Sequence, residues 1–144
     1  MTRARSVADT TKTLSVDGGT IKLDGNFPTG TNNVALGDTA LDDGSLSGSH
    51  NTAVGHSALT ANTSGASNTG LGREALAITT TGSNNTAVGK LALYANTTAS
   101  NNTAVGADAL VSNTTGTENV AVGKGALDAA TTGDYNTGIG TGAL

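Results

Sequence analysis

From residue 31 onward, apolar positions recur at a fixed interval. An aliphatic residue stands at Leu36, Val54, Leu71, Val88, Val105, Val122 and Ile139. A glycine follows each one, and an Ala-Leu pair closes each phrase, from Ala40-Leu41 to Ala143-Leu144. The full phrase is Asn-x-Ala/Gly-Val/Leu/Ile-Gly-x-x-Ala-Leu, and it begins at Asn33, Asn51, Asn68, Asn85, Asn102, Asn119 and Asn136. Its glycines, Gly37, Gly55, Gly72, Gly89, Gly106, Gly123 and Gly140, are separated by 18, 17, 17, 17, 17 and 17 residues. A period this strict describes one small unit stacked on copies of itself. Positions within a unit are counted below from this asparagine as position one.

The spacing from position four to positions eight and nine is compatible with a helix, but the residues between are not. Each unit has glycine at position five, in most units a second one near position fifteen, and β-branched Thr and Val around them. These are poor helix formers, and no stretch long enough for a stable helix survives. Short strands separated by Gly/Asn turns fit the pattern. A 17-residue unit suits one coil of a narrow parallel β-solenoid, or β-roll, so residues 31–144 are expected to form about seven coils. With strands ~4.8 Å apart, that is a rod roughly 30–35 Å long. Thr at position two and Asn at position one should stack in ladders. Gly at position five should supply a positive φ or a close backbone approach at a corner.

Residues 1–30 lie outside the repeat. Thr13–Asp17 and Thr20–Asp24 alternate apolar and polar residues around Gly18-Gly19, which predicts a short hairpin or the first strands of the stack. Gly25-Asn-Phe-Pro28 then breaks the pattern, and residues 1–12 read as a mobile lead or the end of a preceding module.

Composition changes this picture in one respect. Aromatics are 2% of the chain, namely Phe27, Tyr94 and Tyr135, while the apolar fraction is 35% and mostly Ala, Val and Leu. Such a chain buries many small side chains but builds no thick core. Two large aliphatics per 17-residue coil enclose little apolar volume. Positions four and nine are also expected to point to different sides, one into the coil and one outward. An aliphatic stripe shared between chains follows, most simply in a trimer about a threefold axis. Charged residues are only 12% and the net charge is −4, so no basic surface for nucleic acid or anionic membrane is evident. The chain has no Cys and no long apolar run, so disulfides, Cys metal sites, a transmembrane span and a secretory core are not indicated.

The phrases Asn32-Asn-Val-Ala-Leu-Gly37 and Glu118-Asn-Val-Ala-Val-Gly123 resemble the Asn-Ser-Val-Ala-Ile-Gly signature of trimeric autotransporter adhesin heads. Asn84-Asn-Thr-Ala-Val-Gly89 and Asn101-Asn-Thr-Ala-Val-Gly106 are close variants. The version with Asn-Thr-Thr spacers is also similar to repeats in bacteriophage tail fibres and virion appendages. The resemblance covers about residues 31–144. It implies a trimer of left-handed parallel β-rolls that supports attachment to a host surface. Partners implied are two further copies of the chain, other virion or appendage proteins through the termini, and a host surface glycan or protein. The location implied is a virion tail fibre or the cell surface. Two departures are present: the adhesin repeat is usually shorter than the 17 residues here, and no membrane-anchor barrel or coiled-coil stalk is seen. The latter favours a phage or other appendage, or a fragment. An end at Leu144, on the last residue of a phrase, is read as a point where the chain continues or meets another module.

Candidate chemistry is sparse, and no catalytic, cofactor-binding or metal residue is assigned. His50 and His56 flank one phrase near Asp42-Asp43, where exposed turn residues are the simpler reading than a metal site. The glycines follow the repeat, with no Gly-Lys-Ser/Thr of a phosphate loop; Gly70-Leu-Gly72 and Gly138-Ile-Gly140 are the small variant of position three. The acids do not recur in the register of a calcium-binding nonapeptide. Glu74 and Glu118 occupy different repeat positions and do not read as a glycosidase pair. Glycosylation sequons at Asn62, Asn84, Asn96, Asn101 and Asn113 arise automatically in a Thr/Asn-rich repeat. The leading expectation is a structural, non-enzymatic fibre segment. One alternative is ice binding through the Thr ladder, although Val120 interrupts it. Another is a capsule-degrading tailspike, which would need a groove of acids and aromatics beyond Tyr94 and Tyr135.

Overall fold

The computed structural model describes residues 31–144, together with the backbone of two short strands in the preceding segment. Those two, β1 (Leu14–Ser15) and β2 (Lys22–Leu23), pair antiparallel with Leu14 opposite Leu23 and Ser15 opposite Lys22. The expected turn at Gly18-Gly19 and the lead at residues 1–12 lie outside the described residues.

Each phrase contributes one three-residue strand at positions two to four: β3 (Val34–Leu36), β4 (Thr52–Val54), β5 (Thr69–Leu71), β6 (Thr86–Val88), β7 (Thr103–Val105), β8 (Val120–Val122) and β9 (Thr137–Ile139). They form one seven-stranded parallel sheet in simple chain order. Register is the repeat register throughout, with Thr86 beside Thr103, Ala87 beside Ala104 and Val88 beside Val105. The rest of each coil is turn, and no residue among those described is helical. The molecule is therefore a β-solenoid with a single sheet face. Seven strands enclose about six turns rather than seven coils, because the nine residues of the last phrase, Asn136–Leu144, supply β9 and its corner but do not close a turn.

The alternation along each strand sets inside and outside. Position three points inward and is buried at every rung, whereas positions two and four face out. Position three must be small because the leucine of position nine fills the interior. A Cβ added at Gly70 would meet Ala75 O at 3.2 Å and Leu59 Cγ at 3.5 Å. Leu41, Leu59, Leu76, Leu93 and Leu110 are at most 2% exposed and form one continuous column with the alanines of positions three and eight. These leucines, with Leu127, adopt φ of 49–54°, the left-handed region that bulky residues avoid. That conformation costs on the order of 1–2 kcal/mol per residue. Burying the side chain contributes about 1.5–3 kcal/mol in return.

Glycine at position five makes the corner after each strand. Gly72 has φ +139°, and a Cβ there would lie 2.5 Å from Gly89 O and 2.6 Å from Gly89 C. Both the conformation and the rung-to-rung approach exclude a side chain, as the spacing predicts.

The asparagine of position one lies inside the coil and is fully buried from Asn51 to Asn119. Its Oδ1 accepts the backbone N–H of the next rung's asparagine: Asn68 N–H donates to Asn51 Oδ1 at 2.9 Å, and Asn102 N–H to Asn85 Oδ1 at 3.0 Å. Its Nδ2 donates across the coil to the position-fifteen carbonyl, as in Asn68 to Gly82 O at 2.8 Å and Asn102 to Gly116 O at 2.8 Å. One side chain thus ties its own coil shut and holds the next one.

A second buried polar file, at position twelve, escapes the sequence reading. It consists of Asn62, Thr79, Asn96 and Asn113, each 0% exposed. Leu46 begins it in the first coil, where Ser47 N–H donates to Thr63 O at 2.6 Å, so the extra residue is absorbed before Leu46. Asn113 Nδ2 donates to Asn96 Oδ1 at 3.3 Å and to Gly116 O at 2.9 Å. The file ends without a donor at Ala130, and Asn113 Oδ1 is buried with no partner.

Two outcomes test this account. Gly72→Ala should destabilise the fold by at least ~2–3 kcal/mol through strain and clash. Gly44→Ala, where nothing lies within 4 Å of an added Cβ, should stay within ~0.5 kcal/mol of the parent in urea unfolding. Ala130→Asn should extend the second file, give Asn113 Oδ1 a donor and raise stability by ~1 kcal/mol in the same assay.

Candidate functional site

The most extended accessible feature is the outer face of the sheet. Position four lays down an aliphatic file of Leu36, Val54, Leu71, Val88, Val105, Val122 and Ile139. Leu71 is 45% exposed, Val105 and Val122 are each 37% exposed, and Ile139 is 71% exposed. Position nine faces the interior and position four faces solvent, the division expected from the sequence. Beside this file runs position two, where Thr52, Thr69, Thr86 and Thr103 stack on successive rungs between Val34 and Val120. In-register parallel pairing places equivalent side chains ~4.8 Å apart, so the face is a double row of methyl-bearing residues.

A second hydroxyl-bearing side lies elsewhere on the coil. Thr63, Thr80, Thr97 and Thr114 at position thirteen each donate Oγ1–H to the carbonyl of the next threonine of the file, at 2.9–3.3 Å. Their neighbours Ser64, Thr81, Thr98, Thr115 and Thr132 at position fourteen are exposed. At position sixteen, Ser83 and Ser100 Oγ accept backbone N–H groups from the preceding rung at 3.0 Å. The first half of this row is structural, and the position-fourteen hydroxyls face water. Its signal was present in the sequence as Thr-Thr recurring at the repeat period.

The residues singled out for chemistry do not converge. His50 precedes β4 and His56 follows it; Asn32 Nδ2 lies 3.1 Å from His50 Nε2, and Ser57 Oγ lies 3.1 Å from His56 Nδ1. Asp43 accepts bonds from the Ser45 hydroxyl and, at 2.8 Å, the Ser45 N–H. These hold its carboxyl below the usual carboxylate range, the hydroxyl having the larger effect. It closes a local turn in the first spacer, which holds the extra residue. Asp134 is lowered in the same way, first by the Thr117 N–H at 2.6 Å and then by the Thr117 hydroxyl at 3.0 Å. Because its folded-state value is depressed, this contact is fully present above the unfolded carboxylate value and is lost as pH falls through the folded one. Asp43 follows the same sign.

Glu74 pairs with its neighbour Arg73 at 3.3 Å, on a different file from Glu118. Tyr94 and Tyr135 also stand on separate files, at positions ten and seventeen. Gly70-Leu-Gly72 and Gly138-Ile-Gly140 belong to β5, β9 and their corners. Among the described residues, no three His, Cys, Asp or Glu side chains gather where they could hold a metal ion. The five sequon asparagines divide sharply: Asn62, Asn96 and Asn113 are fully buried in the second polar file, while Asn84 and Asn101 are exposed.

No protein-family model matches the chain, and neither a curated protein nor a solved structure matches it.

Proposed function

We propose that this chain is a structural segment of a fibre or surface appendage, of the phage tail-fibre type, in which three copies associate about a threefold axis and support attachment to a host surface. The observation that carries this reading is the outward aliphatic file of position four, which runs unbroken along seven rungs. An exposed apolar row of this length marks an interaction surface. Its occupant must offer apolar groups at the same pitch, and another copy of the same solenoid does so by construction. Copies with parallel rods mate rung for rung, and a closed ring of such contacts stops at a finite number of chains. The signature phrases quoted above add the expectation of three. Rods of this kind hold a terminal module away from a particle, and their loops offer repeated contacts along the way.

Sedimentation velocity and native mass measurement on the purified chain should give the mass of a trimer. Val105→Glu with Val122→Glu should shift the population to monomer by placing unpaired charges in the shared seam. A stable folded monomer of the parent chain at micromolar concentration would overturn the trimeric reading.

One observation favours a second reading, ice binding. Thr52, Thr69, Thr86 and Thr103 form four successive rungs of a file whose neighbours are aliphatic. Regularly spaced hydroxyls and methyls on a rigid plane suit an ordered-water surface. The test is thermal hysteresis: measurable activity that Thr86→Lys removes would support this second reading, and none at millimolar protein would end it.

A further inference from the structure

The outward aliphatic file is bounded by two edges. Position seventeen lies just before each strand and position six lies just after it, beyond the corner glycine, so the sheet face separates them. Backbone bonds stack both edges rung on rung. Glu118 N–H donates to Ser100 O at 3.3 Å and Tyr135 N–H to Thr117 O at 3.1 Å on the first edge, and Gly125 N–H donates to Ala107 O at 2.9 Å on the second. Position seventeen is left-handed at every phrase, with φ of 58–63°. Asparagine tolerates that conformation best among residues with a side chain, and Asn32, Asn84 and Asn101 supply it. Glu118 has no such local reason to be there.

Glu118 is also the one charged residue of its file, with His50 neutral at pH 7. It is exposed and makes no ion pair among the described residues. At the far end of the same strand, β8, stands Lys124, equally exposed and equally without an ion pair among the described residues. The strand and its corner hold the two apart within one chain. Between copies they are brought together. A rotation about an axis parallel to the rod leaves every residue at its own height. With the sheet faces turned to that axis, the position-seventeen edge of one copy meets the position-six edge of the next, whatever the number of copies. Glu118 then lies at the level of the next copy's Lys124. At the other six phrases the position-seventeen residue is uncharged, so no level opposes like charges. Ser67 comes opposite Arg73 and Asn84 opposite Lys90, each an uncharged acceptor for a cation. Antiparallel rods would set position seventeen against itself, where Glu118 finds no Lys or Arg.

We propose that Glu118 pairs with Lys124 of the neighbouring copy, at the rim of the aliphatic seam, and that this pair fixes parallel, rung-matched assembly. The inference rests on the reading that copies associate through the sheet face, and it names the residues that set their register. The aliphatic file repeats closely from rung to rung, with valine at Val88, Val105 and Val122, so apolar contact alone resists a slip of one rung weakly. The rim does resist it. A slip in either direction sets Glu118 against Ala107 or Thr141 and leaves both charges without a partner. Polar and charged groups beside an apolar seam commonly select register and orientation in this way, adding more specificity than affinity.

Carbodiimide coupling of the full chain tests the contact directly, because it joins a carboxylate to a lysine amine only where the two touch. Mass spectrometry of the linked multi-chain bands should find Glu118 joined to Lys124 and not to Lys90, and the single-chain band should lack the link. Lys124→Glu should raise the dissociation concentration of the assembly by about tenfold or more, since each interface then carries a repulsion in place of an attraction. Glu118→Lys with Lys124→Glu exchanges the charges and should restore the parent's assembly. Added salt should weaken the parent assembly and relieve the Lys124→Glu variant. Circular dichroism confirms that each variant is folded. A link from Glu118 to Lys90, or assembly indifferent to Lys124→Glu, would overturn the pairing and leave the association through the sheet face standing. A parent chain that sediments as a folded monomer would overturn both.

Discussion

The buried carboxamide of position one is the interaction on which the rest of this solenoid depends. A coil built mostly of turn residues leaves many backbone groups facing inward, where water cannot satisfy them. Asn85 meets two of these demands at once, accepting the Asn102 N–H through Oδ1 and donating to Ala99 O at 2.9 Å through Nδ2. An aspartate would lose the donor and bring a buried charge. A leucine would leave both backbone groups unpaired, at about 1–3 kcal/mol each. Because Oδ1 serves the following rung, the bond is longitudinal as well as transverse, and the correct cross-section of one coil becomes the template for the next.

This arrangement explains how the fold tolerates strain. Each complete turn carries a glycine near +135°, a leucine near +52° and further left-handed residues at positions seven and seventeen, such as Asp108 and Glu118. An isolated 17-residue unit would not hold these conformations. In the stack they are over-determined by the Leu column inside and the backbone ladders above and below. Stability is therefore cooperative along the rod, as expected where each unit contacts only its neighbours.

Much of this was legible in the residues. The period, the parallel register, the small residue at position three, the corner glycine and the opposed directions of positions four and nine all follow from spacing and side-chain size. The amide ladder was legible as a ladder, but its place inside the coil was not, since asparagine is usually a surface residue. The file at position twelve was missed because Leu46, Thr79 and Ala130 interrupt its asparagines, and the eye follows the apolar phrase instead of the spacer. The count of turns was overestimated because a phrase marks a strand, whereas a turn needs the spacer too.

A solenoid of this kind also limits the forms that function can take. Exposed residues lie beside their counterparts on adjacent rungs, so positions two, four and fourteen write rows of like groups on the surface. The repeat length is broken around Asp43 and Ser45, where the extra residue of the first spacer is taken up in a local turn. Rows of like groups match the spacing of periodic objects, such as another copy of the rod or a lattice. The apolar row and the hydroxyl rows of this chain belong to that class. The apolar row of position four and the threonine row of position two share the sheet face, while the hydroxyl row of position fourteen lies elsewhere on the coil.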